Sequence, residues 1–584
     1  MTADRYTWGA VPRAGTDQWS LRLWAPDADA VAVSIGGADH PMRAAEGSAH
    51  TGDPGWFTLD VAAPSGTAYA FVMPDGLAVP DPAARRQENG VHGPSLLTPP
   101  RMCRGWCDRP WEEAVIYELH VGTFTEAGTF RAAAAEFSRL AALGFTAIEI
   151  MPVAQFAGDR GWGYDGVLPY APHPAYGTPD DLAAMVETAH DHGLIVLLDV
   201  VYNHFGPDGN YLHAYAERFF DAARQTPWGA GIDYTRRPVR RFFIENALYW
   251  LGEFGFDGLR LDAIDQIVDP SEPELLVEMA GELRARLPGC PVHLTTEDNR
   301  NVTHLHERRD GVVVGYTAEW NDDFHNAAHV LATGETEGYY AAFASDPLGQ
   351  FGRALAEGFA FQGEDGRGEP SAHLPPVAFV DFLQNHDQTG NRARGERLIS
   401  LTDADTLEAL GAIHLLSPHI PLMFMGEEYG ETRPFLFFAG FEGDLAAAVR
   451  EGRRREFAGF TGFEGTGVDV PDPIDRQVME ASRLDPSRRD SPAGQGVQDR
   501  VRRLLDLRRT RIVPHLRRAG GYTGTVLKAA DGVLAVDWRL GDALLQLRAA
   551  FPGAPRDMLP AAGVELHRTA PGAAATAVHF LKEA

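Results

Sequence analysis

Residues 1 to about 100 alternate apolar and polar positions in short runs, among them Trp19–Trp24, Ala30–Ser34 and Thr67–Val72. A period of two turns one face to a core and the other to water, and Gly, Pro and Asp punctuate the runs, so this region predicts a small antiparallel β-sandwich. Gly93–Pro100 reads as a linker. From about residue 110 to 515 the pattern changes. Short, wholly apolar runs alternate with stretches of helical period, which predicts βαβ units on parallel strands buried on both faces. The runs are Val115–Leu119, Ala147–Met151, Ile195–Val200, Gly258–Leu261, Val292–Thr296, Val312–Tyr316, Ala378–Leu383 and Pro421–Met425. Helices are expected over Phe130–Leu143, Pro179–His192, Val239–Phe254 and Asp403–Leu416, with Val497–His515 closing the series.

Eight such units predict a closed (β/α)8 TIM barrel. An open doubly wound sheet shares the alternation, but no Gly-rich phosphate loop follows the first strand. Glu431–Asp490 is polar and irregular and reads as a loop excursion carrying a helix, with Arg453, Arg454 and Arg455 on a solvated face. Alternation returns in Gly532–Trp538 and Ala543–Arg548, which predicts a C-terminal β-sandwich. The expected domains are therefore 1–100, 101–516 and 517–584, consistent with 584 residues being too many for a single core.

Charge narrows the partners. Lys and Arg number 52 against 81 Asp and Glu, a formal charge of −29. Nucleic acid and anionic membranes call for the opposite balance, whereas a neutral sugar tolerates this one. Neither a signal peptide nor an apolar run of about 20 residues is visible, so the expected location is the cytoplasm. Cys103, Cys107 and Cys290 are too few and too unevenly spaced for a disulfide framework or a four-ligand zinc site.

In a barrel of this type catalytic groups stand where strands end and loops gather. Strand three runs out through Asp199 to Asn203 and His204, strand four through Arg260 to Asp262, strand five to Glu297, Asp298 and Asn299, and strand seven to His386 and Asp387. One aspartate at a strand–helix turn is readily explained as a helix cap. Carboxylates from four strands on one rim, with Arg260 and His386 among them, call for chemistry, because crowded like charges repel. Glycoside hydrolysis needs such a set: one carboxylate to attack the anomeric carbon and one acid to protonate the leaving oxygen, about 5–5.5 Å apart when configuration is retained. Adjacent strands four and five can supply that pair. Arg260, two residues before Asp262, shares its strand face and can hold the nucleophile ionised.

These segments resemble the four signature regions of the α-amylase family, glycoside hydrolase family 13: Asp199–His204, Gly258–Asp262, Glu297 closing strand five, and Asn385–Asp387. The resemblance implies that Asp262 is the nucleophile, Glu297 the general acid/base, and Asp387 the carboxylate that binds sugar hydroxyls and stabilises the transition state. It implies that Arg260, His204 and His386 contact the glucose at the cleavage point and that Tyr164 stacks under it. Asp199 and Asn203 match scaffold residues. Within the family, Tyr117–Thr125, Gly161–Val167, Thr296–Asn301, Glu319–His325 and Phe382–Asn391 resemble the branch that frees trehalose from malto-oligosyltrehalose. That branch works after a malto-oligosyltrehalose synthase, which isomerises the reducing end of a maltodextrin. Two other readings share features: a glycogen branching or α-1,6-debranching enzyme, and a non-catalytic carbohydrate-binding relative, for which an intact carboxylate trio has no use.

A leaving-group pocket for trehalose asks for further donors, acceptors and an aromatic platform. Asp298, Asn299, Trp320, Asp323 and His325 are the candidates, with helix capping for Asp298 and core packing for Trp320 as the plainer alternatives. His120, Glu427 and Glu428 read as structural. Many relatives hold a calcium near the residue matching Asn203, but no Asp-rich loop follows strand three to supply about six to eight oxygens. No metal and no cofactor are expected.

Overall fold

The barrel strands form because each is short and enclosed on both faces, most of them by apolar side chains. In a computed structural model that describes all residues except 1–5, 14, 46–52, 227, 458–469, 555–558, 571, 573 and 583–584, eight parallel strands close into a barrel. In order they are Ile116–Leu119, Ala147–Ile150, Ile195–Val200, Gly258–Leu261, His293–Thr296, Ala318–Trp320, Phe379–Phe382 and Ile420–Phe424. Strand one pairs with strand eight through Ile116↔Leu422, and strand three with strand four through Asp199↔Arg260.

Seven strands fall on their predicted runs, and the sixth does not. The predicted Val312–Tyr316 precedes the true strand, Ala318–Trp320. Val312 and Val313 instead pair with Arg309 and Arg308 in a two-residue hairpin, and Val312 is 63% exposed. Its turn is Asp310-Gly311, at φ 52° and 77°, the Asp-Gly signature of a tight hairpin. β-branched residues beside such a turn make an exposed ribbon, whereas the real strand is short and carries an acid, Glu319.

The helices follow the expected positions with breaks. Phe130–Ala135 and Phe137–Leu143 split at Glu136, and Arg237–Tyr249 passes into a π-helical turn, Trp250–Phe254, that stops at Gly255 (φ 78°). Pro179–Asp191 begins with a capping box in which Thr178 and Asp181 exchange hydrogen bonds. Among its described residues the excursion holds three helices, Gly443–Phe457, Arg476–Ala481 and Pro486–Asp490; residues 458–469 of it lie outside the described set. Arg453 is not solvated, as expected from sequence, but 9% exposed. It donates to the Gly390 carbonyl (2.9 Å) and lies over Phe437 and Phe457.

Two antiparallel sheets precede the barrel. One is Gly9–Pro12, Gln18–Trp24, Trp56–Ala62 and Arg43–Ala45; the other is Ala38–Pro41, Ala32–Ile35, Ala68–Val72 and Ala78–Val79. Ser95 and Leu96, expected in a linker, pair with Tyr69 and Ala68 and extend the second sheet. The buried Trp8 fastens these sheets to the barrel: its indole donates to the Pro238 carbonyl (2.9 Å) and meets Phe219 and Phe242 edge-on. At the other end, a five-stranded antiparallel sheet from Gly524 to Lys582 packs on the helix Pro347–Glu357, where the Trp538 indole donates to the Leu355 carbonyl (2.9 Å). No helix among the described residues is long and apolar enough to cross a membrane.

Candidate active site

Arg260 is the hub. It projects from strand four with no exposed surface. Its Nη1 donates to Asp199 (2.8 Å) and Asp262 (2.9 Å), and its Nη2 lies 2.7 Å from Glu297. The guanidinium rests 4.2 Å above the ring of Trp320. A planar fork with several donors can hold three carboxylates at fixed angles, which an ammonium cannot. Asp262 also accepts from Asn203 Nδ2 (2.8 Å). The next residue, Ala263, adopts a left-handed conformation (φ 41°), uncommon for a residue with a Cβ, and its amide thereby donates to Glu297 (3.0 Å). The backbone after one carboxylate thus helps to orient the other.

Asp387 stands in the short helix His386–Gly390, whose start is capped by Asn385, and accepts from Asn391 Nδ2 (2.6 Å). Asp387 and Glu297 line a cavity of about 500 Å³ together with Asn299, Asp322, Tyr339, Tyr340 and Gln388. Burial and the nearby Asp262, Asp387 and Asp322 hold Glu297 well above the usual carboxylate range, although Arg260 pulls the other way. An acid whose proton is held this firmly is suited to donate it to a leaving oxygen.

A chain of short hydrogen bonds supports this centre. His386 Nδ1 meets Glu118 (2.5 Å), and His386 Nε2 meets the Tyr164 hydroxyl (2.7 Å), which donates to Asp199 (2.6 Å). With an acidic or hydroxyl oxygen on each ring nitrogen, the surroundings of His386 favour its protonated form. Burial opposes that charge, and the Glu118 carboxylate raises His386 in spite of it. Burial likewise pushes Asp199 up to about 6, against the Arg260 guanidinium. Tyr164 and His386 stack at 5.0 Å. His204 hydrogen-bonds Asn203 and the Tyr164 carbonyl, and Trp228, 44% exposed, stacks on it at 4.0 Å.

The structure therefore gathers Asp262, Glu297, Asp387, Arg260, His204, His386 and Tyr164, and brings Asn299 to the cavity wall. Four other candidates face elsewhere. Asp298 has a fully buried side chain gripped by Arg300 (2.6 Å), so it orders its own loop. Asp323 accepts from Asn301 and the amides of Ala360 and Phe361. His325 is buried against the Leu383 carbonyl (2.8 Å), and burial drives it down to about 3. Trp320 is the floor beneath Arg260. Of the residues read as structural, His120 is buried against Thr123, Gly161 and Tyr176, Glu428 accepts from Tyr117 and Arg139, and Glu427 accepts from the Phe424 amide (3.2 Å).

Four residues went unread in the sequence: Glu118, Asp322, Trp228 and Tyr339. Moving strand six to Ala318–Trp320 would have put Asp322 on the rim. Trp228, 44% exposed, stacks on His204, and Tyr339, 77% exposed, lines the cavity with the acids; both are large aromatics left in solvent, a state that suits sugar faces. Trp228→Ala is expected to raise KM for an oligosaccharide substrate about tenfold with little change in kcat. Equal KM values in steady-state kinetics would remove it from the binding surface.

A closed parallel barrel with this rim defines a glycosidase of the α-amylase class, and residues 121–226 match the family model of the alpha amylase catalytic domain. The chain is 41% identical over 562 residues to the malto-oligosyltrehalose trehalohydrolase of Deinococcus radiodurans, covering 91% of this chain and 89% of that one. It is 39% identical over 507 residues to the enzyme of that name from Mycobacterium tuberculosis, covering 83% and 84%. The chain belongs to the malto-oligosyltrehalose trehalohydrolase family. A crystal structure from Salmonella typhimurium, provisionally assigned there as an alpha amylase, superposes with a TM-score of 0.93 at 49% identity, covering 99% of this chain and all of that one.

Proposed function

We propose that this chain hydrolyses the α-1,4-glucosidic bond beside the terminal trehalose of a malto-oligosyltrehalose, with retention, and releases trehalose. The observation that carries the reading is the Arg260 guanidinium bridging Asp262 and Glu297 from adjacent strands. A retaining pair sits about 5–5.5 Å apart, a span that two carboxylates gripped by neighbouring nitrogens of one guanidinium can meet.

In the first step Asp262 attacks the anomeric carbon while Glu297 transfers its proton to the glycosidic oxygen, so trehalose departs as an alcohol and a glycosyl ester remains on Asp262. In the second, water attacks that carbon, Glu297 takes its proton, and Asp262 leaves as a carboxylate. The β-linked ester is inverted back, and the freed malto-oligosaccharide carries an α-hydroxyl. Arg260 and Asn203 position Asp262. Asp387 binds sugar hydroxyls and favours the cationic transition state. The rings of His386, Tyr164 and His204 shape the seat of the reacting glucose. The substrate's trehalose end must come from isomerisation of a maltodextrin's reducing end, so we place the chain after a malto-oligosyltrehalose synthase, in the cytoplasm.

Incubation with maltotriosyltrehalose and, separately, with maltopentaose tests the specificity. Chromatography is expected to show free trehalose and maltotriose from the first and much slower cleavage of the second. New α-1,6 links, no products with either substrate, or cleavage of the α-1,6 links of pullulan supplied as a third substrate would replace this reading with one of its rivals.

A further inference from the structure

Asp322 stands beside this machinery, and the reaction as written leaves it idle. Asn321 caps the helix after strand six, and Asp322 is its first residue. Asp322 and Asp323 are adjacent yet diverge. Asp323 is 2% exposed and turns away to Asn301 and the amides of Ala360 and Phe361. Asp322 turns to the cavity that Glu297 and Asp387 also line, and accepts from Nε2 of Gln388 (3.1 Å), the residue after Asp387. Among the described residues, no Lys or Arg forms an ion pair with Asp322.

An aspartate at a helix N-terminus is ordinarily explained by the helix dipole, which needs no cavity and no like-charged neighbours. Here Glu297, Asp322 and Asp387 face one partly enclosed space, whose outer wall also carries Glu335, Glu337, Glu396 and Glu456. The cations beside them are committed elsewhere: Arg260 to Asp199, Asp262 and Glu297, and Arg392, on the cavity wall, to Glu335 and Glu396. Carboxyls so placed do not all ionise together, and their protons belong to the set. We propose that Asp322 is a positioning residue for the acid: its charge, anchored by Gln388, keeps the shared proton on Glu297 and so keeps Glu297 ready to donate. This rests on Glu297 being the acid/base.

The groups facing Glu297 are Arg260 and Asp262 from strand four, Asp387 from the loop after strand seven, and Asp322 from the helix after strand six. Asp387, Arg260 and Gln388 face Asp322, and burial, with the charges of Asp387 and the adjacent Asp323, raises its proton affinity. Removing the negative charge of Asp322 therefore lowers the proton affinity of Glu297.

The test is the pH profile of kcat/KM on maltotriosyltrehalose. In Asp322→Asn the basic limb is expected to move down by about one pH unit, so that well above the limb the variant is about tenfold slower relative to its own plateau than wild type. Asp322→Glu should restore the wild-type limb. Asp322→Ser, uncharged and well suited to a helix start, gives the same readout should the asparagine variant not fold. A lower plateau or melting temperature with the limb in place would mean a merely structural role and would overturn the proposal, as would an upward shift. Glu297→Gln, run alongside, separates two failures. If it keeps the wild-type rate and basic limb, the acid/base assignment falls. If it loses both while the limb of Asp322→Asn stays put, only the role of Asp322 falls.

Discussion

Asp262→Asn is expected to lower kcat/KM on a malto-oligosyltrehalose by about four orders of magnitude or more, a barrier increase of about 5.5 kcal/mol. The loss follows from what the side chain does. An amide is a poor nucleophile for an anomeric carbon and a poor leaving group from it, so both steps of the double displacement fail at one atom. The fold should survive, because Arg260 keeps Asp199 and Glu297 as partners and the Asn203 amide keeps the main-chain carbonyl of residue 262, which it contacts at 2.7 Å. Steady-state kinetics together with a thermal melt check both halves. A variant within tenfold of wild type would move the nucleophile elsewhere on the rim. A variant that is inactive and unfolded would leave the chemistry undecided, and Asp262→Ser, which also lacks a carboxylate, then serves as the second measurement.

Replacing Arg260 should have the next largest effect, on stability as well as rate. Arg260→Met leaves Asp199, Asp262 and Glu297 crowded in a site without their common cation. Breaking a buried ion pair from one side costs about 3–5 kcal/mol of unfolding free energy, measurable by urea denaturation. Arg260→Lys keeps a charge but cannot reach three carboxylates at once, and a loss of about a hundred- to a thousandfold in kcat/KM is expected. The pH dependence has a definite sign. Arg260 lowers the proton affinity of Glu297; without it Glu297 holds its proton to higher pH, and the basic limb of Arg260→Met moves up. That is opposite to the shift expected for Asp322→Asn. Wild-type stability in Arg260→Met, or a basic limb that moves down, would contradict the role of the guanidinium as the clamp between the two acids.

Most of the barrel was legible because a strand enclosed on both faces has to be a short apolar run, and seven strands were such runs. Ala318-Glu319-Trp320 was not legible, because a three-residue strand carrying an acid has no apolar signature. The nearby valines, set beside an Asp-Gly turn, imitated one. That single displacement hid Asp322, whose position on the rim depends on where strand six ends. The carboxylates on strands four, five and seven were readable because each closes an unambiguous strand. The direction of a side chain beyond a strand end was not readable. Asp322 and Asp323 are identical neighbours, and the Asn301 side chain with the loop amides of Ala360 and Phe361 decides which turns away from the cavity. Asp298 reads from sequence as a sugar contact or a helix cap, and its side chain is held by Arg300, two residues on, through both oxygens. Arg453 belonged to a charged run, yet a long side chain can bury its stem on aromatics while its head finds carbonyls.

The anomeric configuration of the first product tests the central claim most directly. A malto-oligosyltrehalose has no reducing end, and neither does trehalose, so every anomeric hydroxyl formed comes from the cleaved glucose. Proton NMR within the first minutes of maltotriosyltrehalose hydrolysis should show α-maltotriose appearing first, with the β-anomer growing in only by mutarotation. β-Maltotriose as the initial product would mean direct attack by water, and Asp262 and Glu297 would not be the nucleophile and acid of a double displacement.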